Sequence, residues 1–277
     1  MIQAAVLGAD VSKSRSPVIH EAAFRALKMK GRYQALSVEA AGFEALIAKL
    51  RRDGFRYVNV TIPHKGAAAA LATSASPAVK AAGAANTLIF DRGRIRAENT
   101  DGVGLIAALG DLGASPGARR VAVIVGAGGA AAGAAQALTQ KGTQVRLVAR
   151  NPAAARKIKA RLPAARAQRV TVAAWNPRGL AAALDGAHML ISAVPAAAWH
   201  DNGANGGLEA LDRDTAVLEM AYGTSSALAA AVRGRAARYA DGLGMLVHQA
   251  AHAITLALGT KPPLAPMFRA AREPSST

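Results

Sequence analysis

Apolar residues along this chain follow two rhythms. In some segments they alternate with polar residues or crowd into short unbroken blocks, as strands do. In others they return every third or fourth position, as the buried stripe of a helix does. Strand patterns cover Ile2–Leu7, Tyr33–Val38 and Tyr57–Ile62. Thr87–Phe90 and Arg94–Ala97, joined by a turn at Asp91–Gly93, read as a hairpin. Ser16–Pro17 has the form of a helix start, with Ser16 as N-cap and Pro17 at the first helical position. Ile19, Ala22, Ala23, Ala26 and Leu27 then share one face. Phe43–Arg52, closed by Gly54, and the short Ala67–Ala72 complete a mixed α/β first part.

The pattern changes after the loop Gly113–Gly117. Strands fit Val121–Val125, Val145–Ala149, Val170–Ala173, Met189–Ala193, Ala216–Met220 and Arg238–Ala240. Helical stretches lie between most of them, notably Ala130–Gln140 and Ala153–Leu162. Such alternation predicts an α/β fold with a parallel doubly wound sheet. Asp201–Gly207 reads as a loop near the carboxyl edge of that sheet. A final helix, about Leu246–Leu258, precedes a proline-rich stretch, and nothing repeats at a fixed period.

Composition narrows the function classes. The 277 residues are 52% hydrophobic, enough for one large or two modest domains. No run approaches the roughly 20 apolar residues of a membrane helix. The start, MIQAAVLGAD, lacks the basic and long apolar regions of a signal peptide, so a cytoplasmic protein is expected. The absence of cysteine excludes disulfides, thiol catalysis and zinc-thiolate sites. Net charge is +17, which raises the question of nucleic acid. The basic residues are scattered, however, and aromatics are only 4%, so stacking platforms are scarce. Nucleic-acid binding is therefore not expected as the main function. The positive field suits anionic small molecules.

The clearest local signal is VAVIVGAGGAAAGAAQAL, from Val121 to Leu138. An apolar strand runs into Gly126-x-Gly128-x-x-Ala131 and then a helix, the form of a dinucleotide site. Gly126 permits the tight turn, Gly128 the approach of a pyrophosphate, and Ala131 the close packing of helix on strand. The next strand ends in Arg150, where an NAD site usually carries an acid. An acid would repel a ribose 2′-phosphate and an arginine can pair with it, which points to NADP. A solvated arginine is the plainer alternative.

Three further places carry candidate chemistry. Ser14 and Ser16, two apart beside a helix start, can face an anion together, or Ser16 can serve only as a cap. NVTIPHK, residues 59–65, brings Lys65 out abruptly after an apolar strand and Pro63. Asn86 and the segment Asn99–Gly102 flank the hairpin, where Asp101 can be a helix N-cap or a functional acid. His248 and His252 are four apart on the last helix, a spacing open to metal, but no third ligand accompanies them and no metal is expected.

Taken together, Ser14-x-Ser16-Pro17, NVTIPHK, GAANT, NTDG, VGAGGAA and GLGMLVHQA stand in the order and spacing of the shikimate dehydrogenase family, and the chain resembles that family over nearly its whole length. The resemblance implies a substrate domain at 1–102, a Rossmann NADP domain at 103–243, and a C-terminal helix, 244–272, returning to the substrate domain. It implies NADP-dependent, reversible reduction of 3-dehydroshikimate to shikimate, on the route to chorismate and the aromatic amino acids. Lys65 and Asp101 would be the catalytic pair. Ser14, Ser16, Thr61, Asn86, Tyr222 and Gln249 would bind the substrate. Gly126, Ala127, Gly128, Gly129, Ala130, Ala131, Arg150 and Gly242 would bind NADP. A monomer or homodimer is implied, with a small-molecule substrate as partner.

The sequence departs from the family at Lys13, Gly66, Ile191–His200 and Glu219–Ser226. Rival readings are a relative acting on quinate or an aminoshikimate, a methylene-tetrahydrofolate dehydrogenase, and a non-catalytic ligand-binding relative. The hydroxyl- and amide-rich motifs disfavour the folate reading, and retention of both Lys65 and Asp101 disfavours the non-catalytic one.

Overall fold

The structure, a computed structural model, describes residues 1–200, 204–223, 226–233, 235 and 238–273. It divides into two compact units, residues 1–104 with 246–277, and residues 105–245. The chain changes unit inside two helices, α5 (Asp101–Asp111) and α11 (Leu243–Leu258).

The first unit runs β1 (Ile2–Gly8), α1 (Ser16–Ala26), β2 (Gly31–Ser37), α2 (Phe43–Arg52), β3 (Tyr57–Val60), α3 (Lys65–Ala70), β4 (Ser74–Ala75), α4 (Pro77–Ala82), β5 (Thr87–Asp91) and β6 (Arg94–Glu98). It closes with α12 (Leu264–Arg272). Its sheet has the order β2-β1-β3-β5-β6-β4. β2, β1 and β3 are parallel, while β5 runs antiparallel to β3 and β6 antiparallel to β5. The β5–β6 turn places Arg92 at φ 43° and Gly93 at φ 80°, the left-handed pair that a two-residue hairpin needs. One face of the sheet packs Leu7, Val58, Val60 and Leu88 against Phe43, Ile47 and Leu50 of α2. His20 of α1 is buried, stacked 4.0 Å from the Tyr33 ring, and its Nδ1 lies 2.6 Å from the Tyr57 hydroxyl. Burial pushes its pKa down to about 3.

The second unit holds β7 (Val121–Val125), α6 (Gly129–Gln140), β8 (Gln144–Ala149), α7 (Pro152–Arg161), α8 (Ala164–Ala167), β9 (Val170–Ala174), α9 (Pro177–Leu184), β10 (Met189–Ser192), β11 (Ala216–Glu219), α10 (Ala227–Arg233) and β12 (Arg238–Ala240). All six strands are parallel, in the order β12-β11-β10-β7-β8-β9. The order reverses at β7, the doubly wound arrangement expected from the alternating sequence. Val123, Val125, Val148, Leu190 and Val217 pack against Leu180, Leu184, Trp199 and Leu228.

Several local expectations are corrected. Ser16 is not an N-cap. Arg15 holds that position but makes no side-chain cap bond, and Ser16 is the first helical residue, its amide donating to Ser14 Oγ at 3.2 Å. The third strand stops at Val60, so Ile62 is exposed, and Lys65 begins α3. The C-terminal segment is two helices, not one. Gly259 at φ 74° ends α11, and Pro262 and Pro263 delay the start of α12. Of the loop expected at 201–207, residues 201–203 lie outside the described residues, and Ala204–Ala210 form a 3₁₀ helix.

Candidate active site

Strand direction in the first unit gathers the polar residues at one edge of the sheet. β1 and β3 are parallel, with Leu7 opposite Val60, so the segments leaving both strands start side by side. The segment after β1 carries Ser14 and Ser16, and that after β3 carries Thr61 and Lys65. Gly8 makes the close approach possible, because a Cβ there would come within 2.5 Å of the Thr61 methyl. Antiparallel pairing brings the start of β5 and the end of β6 to the same edge. Asn59 pairs with Thr87 and Thr87 with Glu98, so Asn86 and Asn99–Asp101 also emerge there. Ligand sites of open α/β sheets lie at such carboxyl ends.

At this edge Lys65 Nζ lies 2.6 Å from Asp101 Oδ2, with the Lys65 side chain 16% exposed and that of Asp101 5% exposed. The lysine is aimed by its neighbour. His64 is buried, its ring is stacked 4.7 Å from Phe43, and its Nε2 lies 2.7 Å from the Val38 carbonyl. The Lys65 carbonyl also accepts the Ala85 amide at 2.9 Å.

The aspartate is fixed by Asn86. Its Nδ2 shares its two N–H donors among Asp101 Oδ1 at 2.9 Å, Thr100 Oγ1 at 3.0 Å and Gln249 Oε1 of α11 at 3.2 Å. The amide cannot be turned over, because its oxygen accepts the Thr100 backbone N–H at 2.9 Å. The Thr87 hydroxyl donates to that oxygen at 3.0 Å. Thr87 in turn accepts Asn59 Nδ2 at 2.9 Å, and the Tyr33 hydroxyl donates to Asn59 Oδ1 at 2.8 Å. A polar network thus continues from Tyr33 to Lys65 through the sheet edge, and buried networks satisfied in this way hold their members in single orientations.

Of the residues singled out from sequence, Lys65, Asp101, Asn86 and Gln249 are brought together. Ser14 and Ser16 adjoin each other, with the Ser16 amide donating to Ser14 Oγ at 3.2 Å. Ser16 is buried, and its hydroxyl makes no protein hydrogen bond among the described residues. Thr61 is half-buried, its amide held by the Leu7 carbonyl at 2.8 Å. Asn59, Thr87, Thr100 and His64 were missed. An asparagine in an alternating strand reads as a solvent-facing position, and only its register opposite Thr87 shows otherwise. His248 packs edge-to-face on Phe268 at 5.4 Å. His252 is half-buried, and burial lowers its pKa. Among the described residues no group of three His, Asp or Glu side chains could hold a metal.

The second unit offers a site made of backbone. Gly126 follows β7 at φ 124°, and its amide donates to the Val148 carbonyl at 2.9 Å. A Cβ there would lie 3.0 Å from the Ala193 carbonyl oxygen. Gly128 is extended and caps α6 without a side chain, and a Cβ there would meet nothing within 4 Å. That open space in front of free helix N–H groups fits a pyrophosphate. Ala127, Gly129 and Ala130 are half-buried around the turn, and Ala131 is fully buried beneath it. Arg150 is exposed immediately beyond β8 and makes no ion pair among the described residues. No acid occurs between Leu112 and Leu184, so the only formal charges in this stretch are positive. These residues fit a dinucleotide that carries an extra phosphate.

Gly242 is buried for a packing reason: a Cβ would lie 2.1 Å from the Met220 carbonyl oxygen. Tyr222 is half-buried just beyond β11. In the divergent segment around it, buried Glu219 Oε2 accepts the Ser226 hydroxyl at 2.6 Å and the Tyr239 hydroxyl at 2.8 Å. Burial, and then the Glu219 carboxylate, push the Tyr239 pKa up. Thr224 and Ser225 lie outside the described residues. In the other divergent segment, Trp199 Nε1 donates to Ser192 Oγ at 2.9 Å.

Comparison with known proteins gives the arrangement a lineage. The family model for the shikimate dehydrogenase substrate binding domain matches residues 6–88, and one described as putative NAD(P)-binding matches residues 117–205. The chain is 38% identical to a shikimate dehydrogenase (NADP(+)) of Methylobacterium radiotolerans, over 96% of this chain and 95% of that one. It resembles the crystal structure of Mycobacterium tuberculosis shikimate dehydrogenase at 32% identity and TM-score 0.85, over 98% of this chain and 99% of that one. It also resembles shikimate 5-dehydrogenase of Thermus thermophilus, solved in complex with NADP(H) and shikimate, at 28% identity and TM-score 0.83, over 98% and 99% of the two chains.

Proposed function

The chain belongs to the shikimate dehydrogenase family, and from that premise we propose that it reduces 3-dehydroshikimate to shikimate reversibly, with NADPH as reductant and Lys65 and Asp101 as its proton-transfer pair. The observation that carries the reading is the 2.6 Å Lys65–Asp101 contact, built into the sheet edge by Asn86 and His64. When bound, the cofactor supplies the hydride that reaches the carbonyl carbon. The chain must then supply one proton to the carbonyl oxygen. Lys65 holds that proton at Nζ, donates it as negative charge develops, and takes it back in the reverse direction. Asp101 accepts a hydrogen bond from the amine and fixes its position. Pre-set geometry of this kind favours the transition state because nothing must reorganise during the transfer.

Ser14 and Ser16 bind the substrate carboxylate, and Thr61, Gln249 and Tyr222 contact its ring substituents. Asn86 contributes chiefly by fixing Asp101 and Gln249, since protein acceptors already engage its amide N–H groups. Arg150 pairs with the ribose 2′-phosphate, and the Gly126–Ala131 turn receives the pyrophosphate. The substrate site belongs to residues 1–102 with the C-terminal helices, and the cofactor site to 103–243. The reading includes a cytoplasmic enzyme acting as monomer or homodimer; sedimentation of the purified chain reads its assembly. Initial-rate assays of NADP reduction with shikimate, quinate and an aminoshikimate test the activity. Shikimate should give the highest kcat/KM, and turnover with none of the three would remove the assignment.

A further inference from the structure

Arg15 stands between the two serines assigned to the substrate carboxylate, and the reaction gives it no task. Its side chain is half-buried. Nη2 donates to the Ala270 carbonyl at 2.9 Å and also to the Glu273 carbonyl. Ala270 lies in the last turn of α12, and Glu273 follows the helix directly. Carbonyls at a helix carboxyl end lack intrahelical partners and carry partial negative charge, so a guanidinium there is a charge-assisted cap. α12 packs along α1, with Met267, Ala270 and Ala271 buried.

The loop needs such an anchor. Ser14 is held by its amide to Val11 at 3.0 Å, and Ser16 by its amide to Ser14 Oγ at 3.2 Å. The N-cap residue of α1, Arg15, makes no cap hydrogen bond to the helix with its own side chain. The arginine is itself the N-cap residue of α1, between the two serines, so fixing its side chain fixes the backbone from which both project.

We infer that Arg15 is a positioning residue: by capping the carboxyl end of α12, it holds the Ser14–Ser16 loop in the conformation that receives the substrate carboxylate. The inference rests on the proposed role of those serines. It makes the far end of the chain, 255 residues away, a determinant of substrate affinity.

Steady-state kinetics of Arg15→Ala, Arg15→Lys, Lys13→Ala and Ser16→Ala, each at low and high salt, test it. Lys13 is exposed in the same loop, so Lys13→Ala removes one positive charge without touching α12. Arg15→Ala should raise the KM for shikimate about five- to tenfold, the scale of a weakened charged hydrogen bond. Its kcat and KM for NADP should stay within about twofold. Arg15→Lys should recover part of the loss, and Lys13→Ala should change little. Trypsin should cut at Arg269 and Arg272 faster in Arg15→Ala, because α12 has lost its cap. Should Arg15→Ala fail to fold, Arg15→Gln, which keeps one donor, takes its place in both measurements. A raised KM in Ser16→Ala with none in the Arg15 variant overturns the inference and leaves the serine role standing. No effect in either overturns both. Equal, salt-sensitive effects of Lys13→Ala and Arg15→Ala would mean that charge, not the cap, is at work, and would also overturn it.

Discussion

In the first unit the candidate site is written in side chains. Lys65, Asp101, Asn86 and Gln249 form a chain of hydrogen-bonded contacts, and Asn59, Thr87 and Thr100 brace Asn86 within it. In the second unit the site is written in backbone: a glycine at positive φ, a second with open space before it, and a helix end without a side-chain cap. Its one candidate selector, Arg150, stands exposed at a strand end. The difference matches what the proposed role of each site demands. Proton transfer needs a donor held to within a fraction of an ångström, which only mutually locked side chains provide. Phosphate binding needs N–H groups and positive potential, which a turn and a cationic surface provide.

The largest effect should come from the locked side. Lys65→Ala should lower kcat by about 10²–10⁴, the usual contribution of a positioned proton donor, while shikimate still binds. Rapid-quench kinetics with equilibrium dialysis of shikimate separate the two. An unchanged kcat would remove the lysine from the chemistry. On the backbone side, Arg150→Asp should reduce the preference for NADP over NAD by roughly ten- to a hundredfold, since discrimination falls to a single charged contact of about 1.5–3 kcal/mol. The ratio of kcat/KM values at high salt reads that contact without the general field.

Acid should strain the first unit through His20. Its pKa is near 3 when folded and 6.5 when unfolded, so the unfolded chain binds the extra proton as pH falls below 6.5. The stability tied to neutral His20 is therefore complete above pH 6.5 and is lost progressively toward pH 3, by about 2 kcal/mol at pH 5. Urea midpoints at pH 7.5 and 5.0 should converge in His20→Gln, and an equal drop in parent and variant would assign the sensitivity elsewhere. The smallest effect should be at Gly128. Gly128→Ala meets no neighbour within 4 Å among the described residues and should leave Tm unchanged, yet its methyl enters the space proposed for the pyrophosphate. NADP and NAD should both bind about tenfold more weakly, equivalent to ~1.4 kcal/mol by calorimetry. Unaltered binding would move the cofactor away from this turn.

The same contrast governs what could be read from sequence. The Val121–Leu138 strand, turn and helix were legible because an apolar block, two glycines and a helical stripe are all local features. Lys65 stood out because a proline cuts the strand just before it. The network behind Lys65 was not legible, since Asn59 meets Thr87 only through antiparallel register, and Asn86 meets Gln249 across 163 positions. Ser16 was misplaced by one residue because Ser-Pro fits both a cap and a first turn, and α1 begins at Ser16 itself. The break between α11 and α12 was written in Gly259, Pro262 and Pro263, but their spacing alone does not say that a helix resumes after them.

The central claim is that Lys65 and Asp101 act as one proton-transfer unit. A double-mutant cycle on kcat, with Lys65→Ala, Asp101→Asn and both together, addresses it directly. If the aspartate works through the lysine, the double variant should be no slower than Lys65→Ala alone, because the second change removes support for a group already gone. If the two losses multiply instead, the residues act independently, and the 2.6 Å contact between them is not the source of the chemistry.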